Sequence, residues 1–121
     1  MNRTPTSILM VEDEALLLLC VASELRDAGF RVIEAANADQ AVKVLETERS
    51  IDILFTDVDM PGSMDGVRLS AFVAQRWPPI KIIVTSGKQI ARTGVLPAKA
   101  LFIPKPYEFA TLQANICADT G

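Results

Sequence analysis

Apolar runs of four to six residues alternate along the chain with stretches in which apolar positions recur every three or four. The runs at 7–11, 31–35, 51–55, 80–85 and 100–103 are rich in Ile, Val, Leu and Phe and read as strands. They are nearly continuous rather than alternating, which suits a parallel sheet covered on both faces. Between them, 14–28 reads as a helix closed by Gly29, and 38–48 as a helix opened by Asn37, a side chain suited to capping free backbone N–H groups. A third helix, 67–76, is stopped by Pro78 and Pro79. A last one, 107–118, carries Phe109, Leu112 and Ile116 on one side. In the stretch "SGKQIARTGVLPAK", Gly94 and Pro97 leave room for only a short or irregular helix.

Five strands alternating with helices predict an α/β fold. The right-handed crossover rule winds it into a doubly wound, five-stranded parallel sheet. In such sheets ligands bind beyond the carboxyl ends of the strands, where the strand order reverses.

The length of 121 residues fits one domain with a real core, 1–121, and half the residues are apolar. The densest apolar runs, "SILMV" and "LLLLCVA", are far shorter than the ~20 residues of a membrane span, and the N-terminus lacks a signal-peptide layout; a cytoplasmic protein without membrane contact is expected. Cys20 and Cys117 form no metal-like spacing and lie in apolar helical stretches, so two buried thiols are expected. The absence of histidine excludes histidine general bases, Ser-His and Cys-His nucleophile pairs, imidazole ligands and a phosphohistidine donor.

Charge is unevenly placed. Residues 1–65 carry 13 acids and 5 bases, residues 66–121 carry 2 acids and 7 bases, so the net of −3 hides halves of −8 and +5. That pattern suggests one acidic site and one mildly basic face. The scattered bases, without a recognition motif, suit a solvated or protein-binding face, and no direct nucleic-acid binding is expected.

The strand ends collect chemistry. After the first strand come Glu12, Asp13 and Glu14; after the third, Asp57; after the fourth, Thr85 and Ser86; after the fifth, Lys105. Clustered carboxylates repel one another unless a cation lies between them, and Mg2+ is the natural occupant of such hard oxygen ligands. Lys105 and Thr85 offer a positive charge and a hydroxyl to the oxygens of a phosphoryl group, leaving Asp57 as the in-line nucleophile. On a helical wheel from Glu14, Leu17, Leu18, Val21 and Leu25 share one side. Leu16 and Leu19 fall among Ser23, Arg26 and Asp27, so at least one of them should be exposed.

With "ILMVEDE", "ILFTDVDMPG" followed by "MDG", "KIIVTSG" and "FIPKPY" in order, nearly the whole chain resembles the receiver domain of two-component response regulators. The resemblance implies a flavodoxin-like (βα)5 receiver fold with strand order 2-1-3-4-5. It implies that Asp57 accepts phosphate from the phosphohistidine of a sensor histidine kinase or phosphotransfer protein. Asp13, Asp57 and the Asp59 backbone carbonyl would bind Mg2+, with Glu12 acting largely through water. Thr85 would move to the new phosphoryl group, Lys105 would pair with it before a cis bond to Pro106, and Phe102 would be the switch aromatic whose rotamer follows Thr85. The surface changed would be that of the segment before the fifth strand, that strand and the last helix. Leu16 and Leu19 become candidates for docking the kinase's helical bundle.

The same resemblance implies a phosphoacceptor rather than an enzyme, acting as a monomer or a phosphorylation-dependent dimer. Three departures accompany it. Ser63 lengthens the loop after Asp57 by one residue, and the segment from Thr85 to Lys105 is a couple of residues short. The chain stops near the end of the last helix, so no output domain is expected, and output passes through another protein or the sequence is an excised fragment. The alternative is a phosphatase of haloacid-dehalogenase type, with Asp57 as nucleophile and Asp59 as acid/base. That motif usually lies on the first strand with its acids downstream, whereas here acids precede it. A flavodoxin-like cofactor binder is disfavoured because "EDE" would repel a phosphate.

Overall fold

The computed structural model describes residues 5–48, 50–60, 64–87 and 96–117. The strands are β1 (Ser7–Val11), β2 (Arg31–Ala35), β3 (Ile53–Asp57), β4 (Lys81–Ser86) and β5 (Leu101–Pro104). The helices among the described residues are α1 (Ala15–Asp27), α2 (Ala38–Thr47), α3 (Gly66–Arg76) and α4 (Phe109–Cys117). All neighbouring strands pair in parallel, in the order β2-β1-β3-β4-β5, as expected.

Successive strand residues point to opposite faces, so each apolar run feeds two cores. Leu9, Val11, Leu54, Ile82 and Val84 pack with Leu45 of α2 and Leu69 and Val73 of α3. Ile8, Met10, Phe55, Ile83 and Ile103 pack with Leu18 and Leu25 of α1 and Leu112 and Ile116 of α4. Each such side chain contributes about 1.5–3 kcal/mol when fully buried.

Local signals set the helix ends. Asn37 Oδ1 accepts the Gln40 N–H at 2.9 Å while Gln40 Oε1 accepts the Ala36 N–H at 2.8 Å, a reciprocal cap on α2. Gly29 ends α1 at φ 100°, a conformation that favours glycine. Asp65 caps α3 by accepting the Arg68 N–H at 2.9 Å.

The third strand differs from its expected bounds. It starts at Ile53, the first residue in register with both Ile8 and Lys81, and runs to Asp57, which pairs with Thr85. The acid therefore belongs to the strand itself. The cysteines overturn their expectation: both are free and exposed. Cys20 lies one turn beyond exposed Leu16, away from the buried stripe Leu18, Val21, Ala22 and Leu25, and Cys117 follows the inward Ile116. The expectations for Ser63, for Gly94 with the short helix around it, and for the end of the last helix at Ala118 fall outside the described residues. Among the described residues no helix is long and apolar enough to cross a membrane.

Candidate phosphoryl-transfer site

Backbone hydrogen bonds prolong the sheet past its last rungs and aim the following residues at one edge. The Glu12 N–H reaches the Ala35 carbonyl at 3.0 Å, Val58 reaches Thr85 at 2.9 Å, and Lys105 reaches Ser86 at 2.9 Å. The Lys105–Pro106 peptide is cis, as the family resemblance implied.

This edge brings together four of the expected residues. Carboxylate oxygens of Glu12, Asp13 and Asp57 all lie within 4.8 Å of one another. Glu12 and Asp57 are buried and Asp13 is exposed, so the cluster opens to solvent on one side. Three hard oxygen donors at this spacing fit a small divalent cation. Lys105 Nζ lies 3.0 Å from Glu12 Oε1 and 3.2 Å from Asp57 Oδ2, with the exposed Glu14 at 3.7 Å.

Burial pushes the Glu12 carboxyl above its ordinary value, and the Asp57 charge adds to that rise against the opposing hydrogen bond from Lys105. Burial alone would lower the Lys105 ammonium, but the hydrogen bond and charge of Glu12, joined by Asp57, raise it. Both partners move upward because one ammonium serves two carboxylates: the lysine gains from both, while Glu12 recovers only part of its lost hydration.

Asp57 is held from three directions. Its Oδ1 accepts the Asp59 N–H at 3.2 Å, its Oδ2 meets Lys105, and its carbonyl accepts the Thr56 hydroxyl at 2.9 Å. Gly66 presses on its backbone. A Cβ at Gly66 would lie 2.0 Å from the Asp57 carbonyl oxygen, so only glycine lets α3 begin there, with its N–H on the Val58 carbonyl at 3.0 Å.

Thr85 pairs in register with Asp57, and its Oγ1 is buried without a hydrogen-bond partner. Such a group costs about 1–3 kcal/mol. The buried Tyr107 hydroxyl is the second orphan among the described residues. Its phenol is pushed up to about 12 by burial and by the nearby Glu12 charge, and its ring packs edge-on to Phe55 at 5.7 Å.

Other expected residues lie apart. Asp59 does not join the carboxylate cluster: its Oδ2 accepts the Ser86 hydroxyl at 2.8 Å. Phe102 pairs with Val84 and packs, half-buried, against the core beneath α2 and α3. Leu16 and Leu19 project from α1 with 73% and 60% of their surface exposed. The contacts of Ser86 and Tyr107 and the packing role of Gly66 went unanticipated. All three stand in motifs quoted above, "KIIVTSG", "FIPKPY" and "MDG", but those motifs carry no sign of these contacts.

Residues 8–117 match the family model described as the response regulator receiver domain. A putative response regulator NtrX-like of Rickettsia felis is 32% identical over 104 residues, 83% of this chain and 22% of that protein. The sensor kinase CckA of Brucella abortus is 33% identical over 114 residues, 91% of this chain and 12% of that protein. The chain thus spans less than a quarter of the length of these relatives. Among solved structures, a response regulator receiver protein from Sinorhizobium medicae superposes with a TM-score of 0.84 at 28% identity, covering 91% of this chain and 90% of that one. The receiver domain of the hybrid histidine kinase CckA gives 0.76 at 32% identity, covering 91% and 94%.

Proposed function

The chain belongs to the response regulator receiver domain family, and on that premise we propose that Asp57 accepts a phosphoryl group from a phosphohistidine of a sensor kinase or phosphotransfer protein. A carboxylate oxygen of Asp57 attacks phosphorus in line, the P–N bond breaks, and the donor imidazole leaves with the electron pair and takes up a proton. The product is an aspartyl phosphate.

The observation that carries this reading is the orphaned Thr85 hydroxyl in register with Asp57. A buried donor without a partner beside a candidate acceptor is relieved when a phosphoryl oxygen arrives. Lys105, already beside Asp57, offers its charge to another of those oxygens. Asp13, Asp57 and the Asp59 carbonyl would hold Mg2+, with Glu12 acting largely through water. The metal supplies charge neutralisation for the group in transfer. Movement of Thr85 toward the phosphoryl group, followed by Phe102, would carry the change to the surface formed by β5, α4 and the segment before β5. In this reading 1–121 acts as one receiver unit in the cytoplasm.

The phosphatase alternative requires the Asp59 side chain as acid/base, and Ser86 already engages that carboxylate. A chromogenic phosphate ester supplied with Mg2+ is expected to show no steady turnover, and Asp59→Asn is expected to keep single phosphoryl uptake. Steady turnover lost in Asp59→Asn would establish the phosphatase instead.

Leu16 and Leu19 would dock the donor protein. Changing both to Ser is expected to slow phosphotransfer from that protein about tenfold, the effect of losing a modest apolar anchor, while uptake from a small phosphodonor stays the same. Equal loss with both donors would assign the two leucines to the fold rather than to docking.

A further inference from the structure

Ser86 ends β4 as a junction between the two sides of the site. Its carbonyl accepts the Lys105 N–H at 2.9 Å, and its hydroxyl donates to Asp59 Oδ2 at 2.8 Å across to the loop after β3. Asp59 in turn donates its own N–H to Asp57 Oδ1 at 3.2 Å. One short chain of bonds therefore runs from the lysine segment through Ser86 and Asp59 to the candidate phosphoacceptor.

We infer that the Ser86–Asp59 hydrogen bond is a positioning latch, fixing the loop after β3 so that Asp57 and the Asp59 main chain are set for the cation before it arrives. The inference rests on the metal-dependent reading above and adds to it a role for two side chains that touch neither metal nor phosphoryl group.

Four considerations support the latch. Asp59 is exposed and lies two residues past the end of β3, beyond the ladder that fixes Asp57, so its own backbone lacks sheet restraint. Ser86 is buried and belongs to β4, so it is a rigid anchor. The bond, of ordinary length at 2.8 Å, has a carboxylate as its acceptor, which gives it more holding power than a neutral pair. Mg2+ demands near-ideal octahedral geometry and is reluctant to lose water, so a loosened ligand loop is felt directly in its affinity.

A second way for Asp59 to act, as a bare negative charge near the cation, is separable. Ser86→Ala removes the latch and no charge. Asp59→Asn removes the charge but keeps an oxygen able to accept from Ser86, and Asp59→Ala removes both. MgCl2 titrated by calorimetry into the full chain, with folding checked by circular dichroism, reads each of them.

The latch predicts that Ser86→Ala weakens Mg2+ binding roughly threefold to tenfold, the range of one net hydrogen bond. It predicts that Asp59→Asn loses less than Asp59→Ala, and that adding Ser86→Ala to Asp59→Ala costs nothing further. Unchanged affinity in Ser86→Ala, or losses that multiply in the double variant, would overturn the latch while leaving the receiver reading intact. Failure of the unaltered chain to bind Mg2+, or equal binding by Asp13→Asn, would overturn the metal-dependent reading and the latch with it.

Discussion

Replacing Lys105 by Ala is expected to lower stability at neutral pH by about 2 kcal/mol and the unfolding midpoint by about 8 °C, with Mg2+ restoring most of the loss. The lysine is the cation that lies between buried Glu12 and buried Asp57, at 3.0 and 3.2 Å. Without it two carboxylates face each other with little water. Removing one partner of a fully buried pair costs about 3–5 kcal/mol, and the partial exposure of the Lys105 side chain brings the expected value below that range. A divalent cation among the same oxygens supplies the missing charge, so Mg2+ should stabilise the variant more than the unaltered chain. Lys105→Met keeps the aliphatic stem and serves as the control for lost packing.

The pH dependence has a definite sign. The folded-state pKa of Glu12 lies above its ordinary 4.5, so the stability linked to its protonation is fully present below that value and is lost as pH rises through the folded pKa. Lys105 opposes the rise, and its removal pushes Glu12 further up. The deficit of Lys105→Ala should therefore shrink between about pH 7.5 and about pH 5, as denaturant unfolding at the two values would show. An equal deficit at both, unaffected by Mg2+, would mean that the ammonium is not the counterion of this cluster.

Much of the fold was legible because continuous Ile, Val and Leu runs admit few arrangements. The strand order came from the resemblance to receiver domains, while strand existence followed from those runs. The bounds of β3 did not, since pairing of Asp57 with Thr85, not local composition, decides where that strand ends. The main acids, Thr85 and Lys105 were legible for a topological reason: a doubly wound sheet sends its strand ends to one edge. Their direct contacts were not, because Lys105 and Glu12 are 93 residues apart. The Ser86–Asp59 bond likewise depends on side-chain direction at a strand end.

The cysteines are the instructive miss. Apolar neighbours in sequence suggested burial, yet Cys20 is four residues after Leu16 and shares its outward side. The wheel that exposed Leu16 also exposes Cys20. Gly66 teaches the converse lesson. Its φ is not positive, so backbone freedom does not explain it; the Asp57 carbonyl oxygen does, lying 2.0 Å from where a Cβ would stand.

The largest effect belongs to Asp57 itself. Asn has the same shape and keeps an oxygen for the Asp59 N–H, but an amide lacks the charge and nucleophilicity of a carboxylate. Asp57→Asn also removes one of three mutually repelling acids. The variant is therefore expected to fold at least as stably as the parent, so its loss of function cannot be blamed on unfolding. Intact mass after incubation with Mg2+ and a small phosphodonor tests the account most directly. The unaltered chain should gain one phosphoryl group and Asp57→Asn none, whereas an equal gain in both, or none in either, would contradict it.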